Sequence, residues 1–249
     1  MNNIVKIATH ELRRMFQSPL AWTILAIVQF LLAIFFLILL DQILNPAPWL
    51  AGRGITEVLV AGVLQIAGII ILMVTPFITM RMFSEERGSG TIKLLFSSPV
   101  SITELVLGKY TGTLCFLVII LAMIALMPLS LYLGTTLDFG QLCAGLFGLF
   151  LLMSSFAAIG LFISTLTNHV SIAAIATFGV LFILWILNLA ANTGSEISRE
   201  IFLYLSLLRH YDNLINGIVN SVDAVYYLII STTFIILSIW RLDGDRTHQ

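Results

Sequence analysis

Long apolar runs, broken by short polar segments, set the plan of this chain. Leu20 to Leu40, Val58 to Met80 and Tyr110 to Leu133 contain no charged residue. From Phe139 to Ser195 there is no Asp, Glu, Lys or Arg, a stretch long enough for two such runs, and Thr165-Leu166-Thr167-Asn168-His169 is its polar break. A shorter run, Ala224 to Trp240, follows near the end. Crossing the apolar core of a bilayer takes about 20 residues of helix, with a lower limit of about 17, because in lipid the backbone must satisfy its own hydrogen bonds. The pattern therefore predicts an all-α membrane protein with six transmembrane helices, at about 20–40, 58–80, 108–133, 141–166, 170–191 and 224–240, in one domain covering residues 1–249.

The segment before the first run has a different period. Ile4, Val5, Ala8, Leu12, Met15 and Phe16 recur at helical spacing, and Lys6, His10, Arg13, Arg14 and Gln17 take the other side. That is the pattern of an interfacial helix over residues 1–19, with Arg13 and Arg14 placed for lipid phosphates. Ser18-Pro19 reads as N-cap and first-turn proline of the first span. Pro76, near the inner end of the second span, predicts a kink and is the candidate gating element, with Thr75 and Thr79 beside it to bond freed backbone groups.

Composition supports the membrane reading. Hydrophobic residues make up 59% of the chain, charged residues 10%, and mean hydropathy is +1.04. A soluble domain carries about 25% charged residues. A net charge of -1 and the lack of a basic, aromatic-interleaved face argue against nucleic acid as a partner. Cys115 and Cys143 both fall in apolar runs and read as small buried hydrophobes. With both termini inside, Lys6, Arg13, Arg14, Arg81, Arg87, Lys93, Lys109, Arg241 and Arg246 are cytoplasmic, and Arg53, Arg199 and Arg209 are outside. This nine-to-three bias predicts cytoplasmic termini in the plasma (inner) membrane. The first run is too long for a cleaved signal and lacks a small-residue cleavage site, so it reads as a signal anchor.

The segment 81–107 between the second and third spans is the richest in signals. A charge cluster, Arg81-Met82-Phe83-Ser84-Glu85-Glu86-Arg87, leads through Gly88-Ser89-Gly90 to a short amphipathic piece, Thr91 to Phe96; Ser97-Ser98-Pro99 stops it, and Ser101-Ile102-Thr103-Glu104 has capping-box spacing. A small helix held between breaks suits docking into a soluble partner's groove. The run Phe83 to Val100, followed by Leu107-Gly108-Lys109-Tyr110, resembles the cytoplasmic loop of ABC-2 type permeases, which are also described as type V exporter-like. It is most similar to the small group that includes gliding-motility and nitrous-oxide-reductase-maturation permeases. The resemblance implies that Glu85, Glu86, Arg87, Thr91, Leu94 and Leu95 couple to a separate ABC ATPase subunit. It further implies that ATP and magnesium sit on that subunit, with no cofactor in this chain. A second permease subunit, identical or not, and an auxiliary extracytoplasmic subunit are the other implied partners, with membrane lipids around them.

The outer segment 192–223 is too interrupted to span and too apolar for a solvated loop, so a re-entrant or interfacial hairpin is expected before the last span. No G-x-x-x-x-G-K-[ST] loop occurs, which removes the usual cradle for ATP phosphates. Three other classes stand beside the permease reading. A secondary transporter would be expected to place ionisable groups at mid-span, where the inferred spans have only amides such as Gln65 and Asn188. An intramembrane protease of the paired-glutamate kind would need Arg at position 90, where Gly90 stands. A non-transporting membrane scaffold is the third.

Overall fold

The computed structural model describes residues 2–45, 54–92, 100–131, 138–191 and 206–247. Among the described residues all regular structure is helical: α1 (Asn2–Gln17), α2 (Pro19–Leu44), α3 (Ile55–Thr79), α4 (Ser84–Gly88), α5 (Ile102–Ser130), α6 (Phe139–Leu166), α7 (Val170–Ala191), α8 (Leu207–Ile215) and α9 (Ser221–Thr247). Six of these described helices are long and apolar enough to cross a membrane, one at each run read from the sequence. Several extend past the apolar runs. The third begins at Ile102 rather than near 108, and the last continues to Thr247, because polar residues at a span's end can still continue its helix.

Local chemistry explains where these helices begin. Ser18 caps α2 by accepting from Leu20 N at 3.3 Å, with Pro19 in the first turn. Ser101 and Glu104 form the full capping box of α5, at 3.1 and 3.2 Å. Asp138 caps α6 by accepting from Gly140 N at 2.8 Å and Gln141 N at 3.3 Å. Pro76 lies inside α3, where it removes the donor for the Leu72 carbonyl. Thr75 and Thr79 donate to the Ile71 and Thr75 carbonyls, at 2.7 and 3.0 Å, and leave that of Leu72 to other means.

The core is organised around α6, which packs against α3, α5, α7, α8 and α9. Membrane helices gain nothing from moving apolar surface out of water once in lipid, so close van der Waals approach and hydrogen bonds must hold them. Small residues on α6 permit that approach: Gly145 faces Leu64, Gly148 faces Leu214 and Gly160 faces Thr79. Tyr110 donates to the Ser154 carbonyl at 3.1 Å, and Ser155 Oγ to that of Tyr227 at 3.1 Å, tying α6 to α5 and α9. The small residues of α7 behave differently. Ala173 is buried, but Ala176 is exposed and nothing stands within 4 Å of a Cβ at Gly179.

At the end of the bundle away from α4, α8 lies over α6, α7 and α3. Its nine residues give roughly 14 Å of helix, too short to span. Tyr211 donates to the Leu64 carbonyl at 2.6 Å, Tyr227 donates to that of Leu207 at 2.7 Å, and His210 pairs with Asp223 at 2.5 Å. Burial pushes the Asp212 carboxyl up to about 6. Positions 192–205 of the expected outer hairpin lie outside the described residues.

A Cβ at Gly160 would stand 2.2 Å from Thr79 Oγ1 and 2.7 Å from Thr79 Cβ, so turning the threonine cannot relieve it. Gly160→Ala should therefore lower stability by about 1–2 kcal/mol, the overpacking cost less the helix-propensity gain. Gly179→Ala, in open space, should raise it by about 0.5–1 kcal/mol. Unfolding in detergent, followed by circular dichroism, would check both signs.

Candidate functional site

One end each of α1, α3, α5 and α9 meets around α4, and charged side chains join them. Lys109, in the second turn of α5, has a side chain only 3% exposed. Its ammonium stands 2.5 Å from Glu86 Oε1 and 3.7 Å from Glu11 Oε2, and it donates to the Met82 carbonyl at 2.7 Å. The Phe83 ring centroid lies 5.0 Å away. A buried ammonium is tolerated when it is paired and its protons find acceptors, and Lys109 has both.

Arg14 of α1 extends the network. It reaches Glu85 Oε2 at 2.7 Å and approaches Glu86 and Glu11 at 3.9 Å each. Arg87 turns the opposite way and pairs with Asp245 of α9, which Arg241 also approaches at 3.3 Å. One short helix is thereby bound to both ends of the described chain. Close backbone contact reinforces the charges. At Gly108 and Gly112 a Cβ would meet Ile7 at 2.7 Å and the Ala8 carbonyl at 2.9 Å, so this GxxxG step is the bed on which α1 lies. At Gly88 a Cβ would come within 2.6 Å of the Asn168 carbonyl, which seats α4 on the turn between α6 and α7.

The residues singled out from the sequence divide into three groups. Glu85, Glu86, Arg87 and Arg14 converge in this network, and Thr91 stands exposed just beyond it. Arg13 is exposed on the far side of α1, and Pro76 lies a turn above the network within α3. Leu94 and Leu95 lie outside the described residues. Arg14 thus turns toward the protein, away from the role beside phosphates that helical spacing suggested.

Three members of the site escaped sequence reading. Glu11 is the one acid on an otherwise basic helix, and that was a usable signal. Lys109 stands in the loop motif and among the cations counted as cytoplasmic, but nothing in the sequence names its acidic partners. Asp245 sits in a short charged tail, where nothing marked it out.

Removing one partner from a buried ion pair leaves the others uncompensated and costs about 3–5 kcal/mol. Lys109→Met should accordingly lower the apparent unfolding temperature in detergent sharply. Adding Glu86→Gln and Glu11→Gln to it should recover part of that loss, because the stranded charge is then gone. Scanning fluorimetry on the three proteins would measure both effects.

No curated protein matches the chain at a significant level. The family model described as ABC-2 family transporter protein matches residues 5–242, from the first helix through the last span. That range holds five of the six apolar helices whole and most of the sixth, the charge network apart from Asp245, and helix α8. The chain therefore belongs to the ABC-2 family of transporters, as a multi-pass membrane permease of an ABC transporter.

Proposed function

We propose that this chain is the membrane half of an exporter whose ATPase is a separate subunit docking on α4 and the residues after it. The observation that carries this reading is the clamping of α4. Ion pairs bind it to α1, α5 and α9, while Ser89, Gly90 and Thr91 remain exposed at its end. A force applied to that exposed edge by a partner closing on ATP would be carried to several helices at once, because none of the four can shift without disturbing shared charges.

Two permease subunits, alike or different, form the pathway between them in this proposal. Gln65, Ile69 and Met73 recur every fourth residue along α3 and are all exposed. An amide at mid-span seeks protein or water rather than lipid, so this stripe suits a face shared with the second subunit or the pathway. Pro76, between Met73 and Phe77, is then the hinge through which α3 follows α4. The N- and C-termini are cytoplasmic, ATP and magnesium belong to the ATPase, and an auxiliary extracytoplasmic subunit fits over α8. The likeness to gliding-motility and nitrous-oxide-reductase-maturation permeases rests on the loop motif and forms part of the same reading.

In nanodiscs, the purified chain should release phosphate from ATP at background rate, and the cognate ATPase subunit should add activity that responds to the permease. Glu85→Ala with Thr91→Ala removes exposed side chains without touching Lys109. That variant should stay folded and lower the permease-dependent part about tenfold, equivalent to about 1.4 kcal/mol. Magnesium-dependent hydrolysis by the chain alone, or an unchanged response in the variant, would overturn the proposal.

Orientation has its own check. In a background lacking Cys115 and Cys143, single cysteines at the exposed positions Ser89 and Asn220 should differ. An impermeant thiol reagent added to intact cells should label the second and spare the first.

A further inference from the structure

Where α1 turns into α2, a cavity of about 110 Å³ opens beside the charge network. This is several times the roughly 10–15 Å³ that one water needs. Its lining has two characters. Met15, Ile24, Ile78 and Phe116 form apolar walls, and Glu11, Arg14, Arg81 and Glu85 bring two carboxylates and two guanidinium groups. Phe77, 53% exposed, leads from the cavity to the outside of the bundle.

Arg14 and Glu11 are committed to the network. Arg81 is not: among the described residues it enters no ion pair, although it is exposed and lines the cavity. Glu85 accepts from Arg14 through Oε2, while Oε1 accepts no hydrogen bond from the described residues. One wall thus offers an unused fork of cationic donors, another offers an unused anionic acceptor, and the two do not neutralise each other. A ligand that fits must carry an anion and a cation with N–H donors a few ångströms apart, attached to an apolar body that can leave past Phe77.

The depth of the site agrees with such a ligand. Trp22, exposed at the first turns of α2, donates its Nε1–H to the Phe16 carbonyl at 3.0 Å, and indole rings of this kind collect at the boundary between headgroups and acyl chains. We infer that the cavity holds the headgroup of a phosphatidylethanolamine from the cytoplasmic leaflet. Its phosphate meets Arg81, its ammonium meets Glu85, and its acyl chains run along Phe77 and the outer face of α2. A guanidinium is suited to phosphate by its planar fork of donors, and a primary ammonium can donate to a carboxylate where a quaternary one cannot. A glycerol-headgroup lipid would satisfy Arg81 with its one phosphate charge but bring Glu85 only neutral hydroxyls, with no cation to offset the carboxylate. This inference rests on the orientation proposed above for its choice of leaflet, but not on the transport reading.

Native mass spectrometry of the full chain in detergent tests it, with dioleoyl lipids bearing ethanolamine, choline or glycerol headgroups and with soluble phosphoethanolamine. The ethanolamine lipid should be retained best. Arg81→Gln should lower its retention about tenfold, a loss of about 1.4 kcal/mol. Glu85→Gln should bring it down to the level of the choline lipid. Both positions are exposed, and thermal unfolding of each variant would check that the fold is intact. Equal retention of the three lipids would overturn the inference, as would a preference for the glycerol headgroup or no effect of Arg81→Gln. Tight binding of phosphoethanolamine alone would overturn the membrane lipid as the source.

Discussion

Lys109 carries an ammonium that has been taken out of water, and the end of the bundle around α4 is arranged to compensate for that. Burying such a charge without partners costs several kcal/mol, more than most single contacts return. Glu86, Glu11 and the Met82 carbonyl must therefore stay where they are. Each belongs to a different part of the chain: α4, α1 and the turn between α3 and α4. Holding one ammonium consequently fixes the relative positions of α1, α4 and the turn before α4 against α5.

The same requirement makes the assembly resist bending in parts. Arg14 binds α1 to Glu85, and Arg87 binds the far side of α4 to Asp245. Pairs of this type at a protein surface would be worth little. Here the central pair is shielded, and Arg14 also approaches its two carboxylates, so the Lys109 and Arg14 contacts support one another. A short helix of five residues has almost no stability of its own, and these contacts give it a defined position. That position leaves Ser89 to Thr91 at the surface, which suits a contact for a partner that performs work.

Farther into the bundle the forces change. Charges vanish and helix approach is governed by missing side chains: Gly145, Gly148 and Gly160 on α6, each opposite a larger residue. Hydroxyls of Tyr110, Ser155, Tyr211 and Tyr227 then reach backbone carbonyls on neighbouring helices. The result is a bundle whose interior is stiff around α6. The outward faces of α2, α7 and α9 remain apolar and exposed.

By itself the sequence determined the number of spans, the helix class and most helix starts, because those depend on local rules. A run of about 20 uncharged residues has one stable answer in lipid, and Ser18-Pro19 and the Ser101 to Glu104 capping box act over one turn. The family resemblance was also legible, since the loop motif is contiguous. Tertiary structure alone decided which charges are partners. Glu11 and Lys109 are 98 positions apart, and Arg87 and Asp245 are 158 apart. No periodicity links residues so distant, and a pairing between them exists only once the helices have packed. It also decided the direction of Arg14: spacing put it on the polar side of α1, but a polar side can face either headgroups or a carboxylate cluster, and only the placement of α4 separates the two.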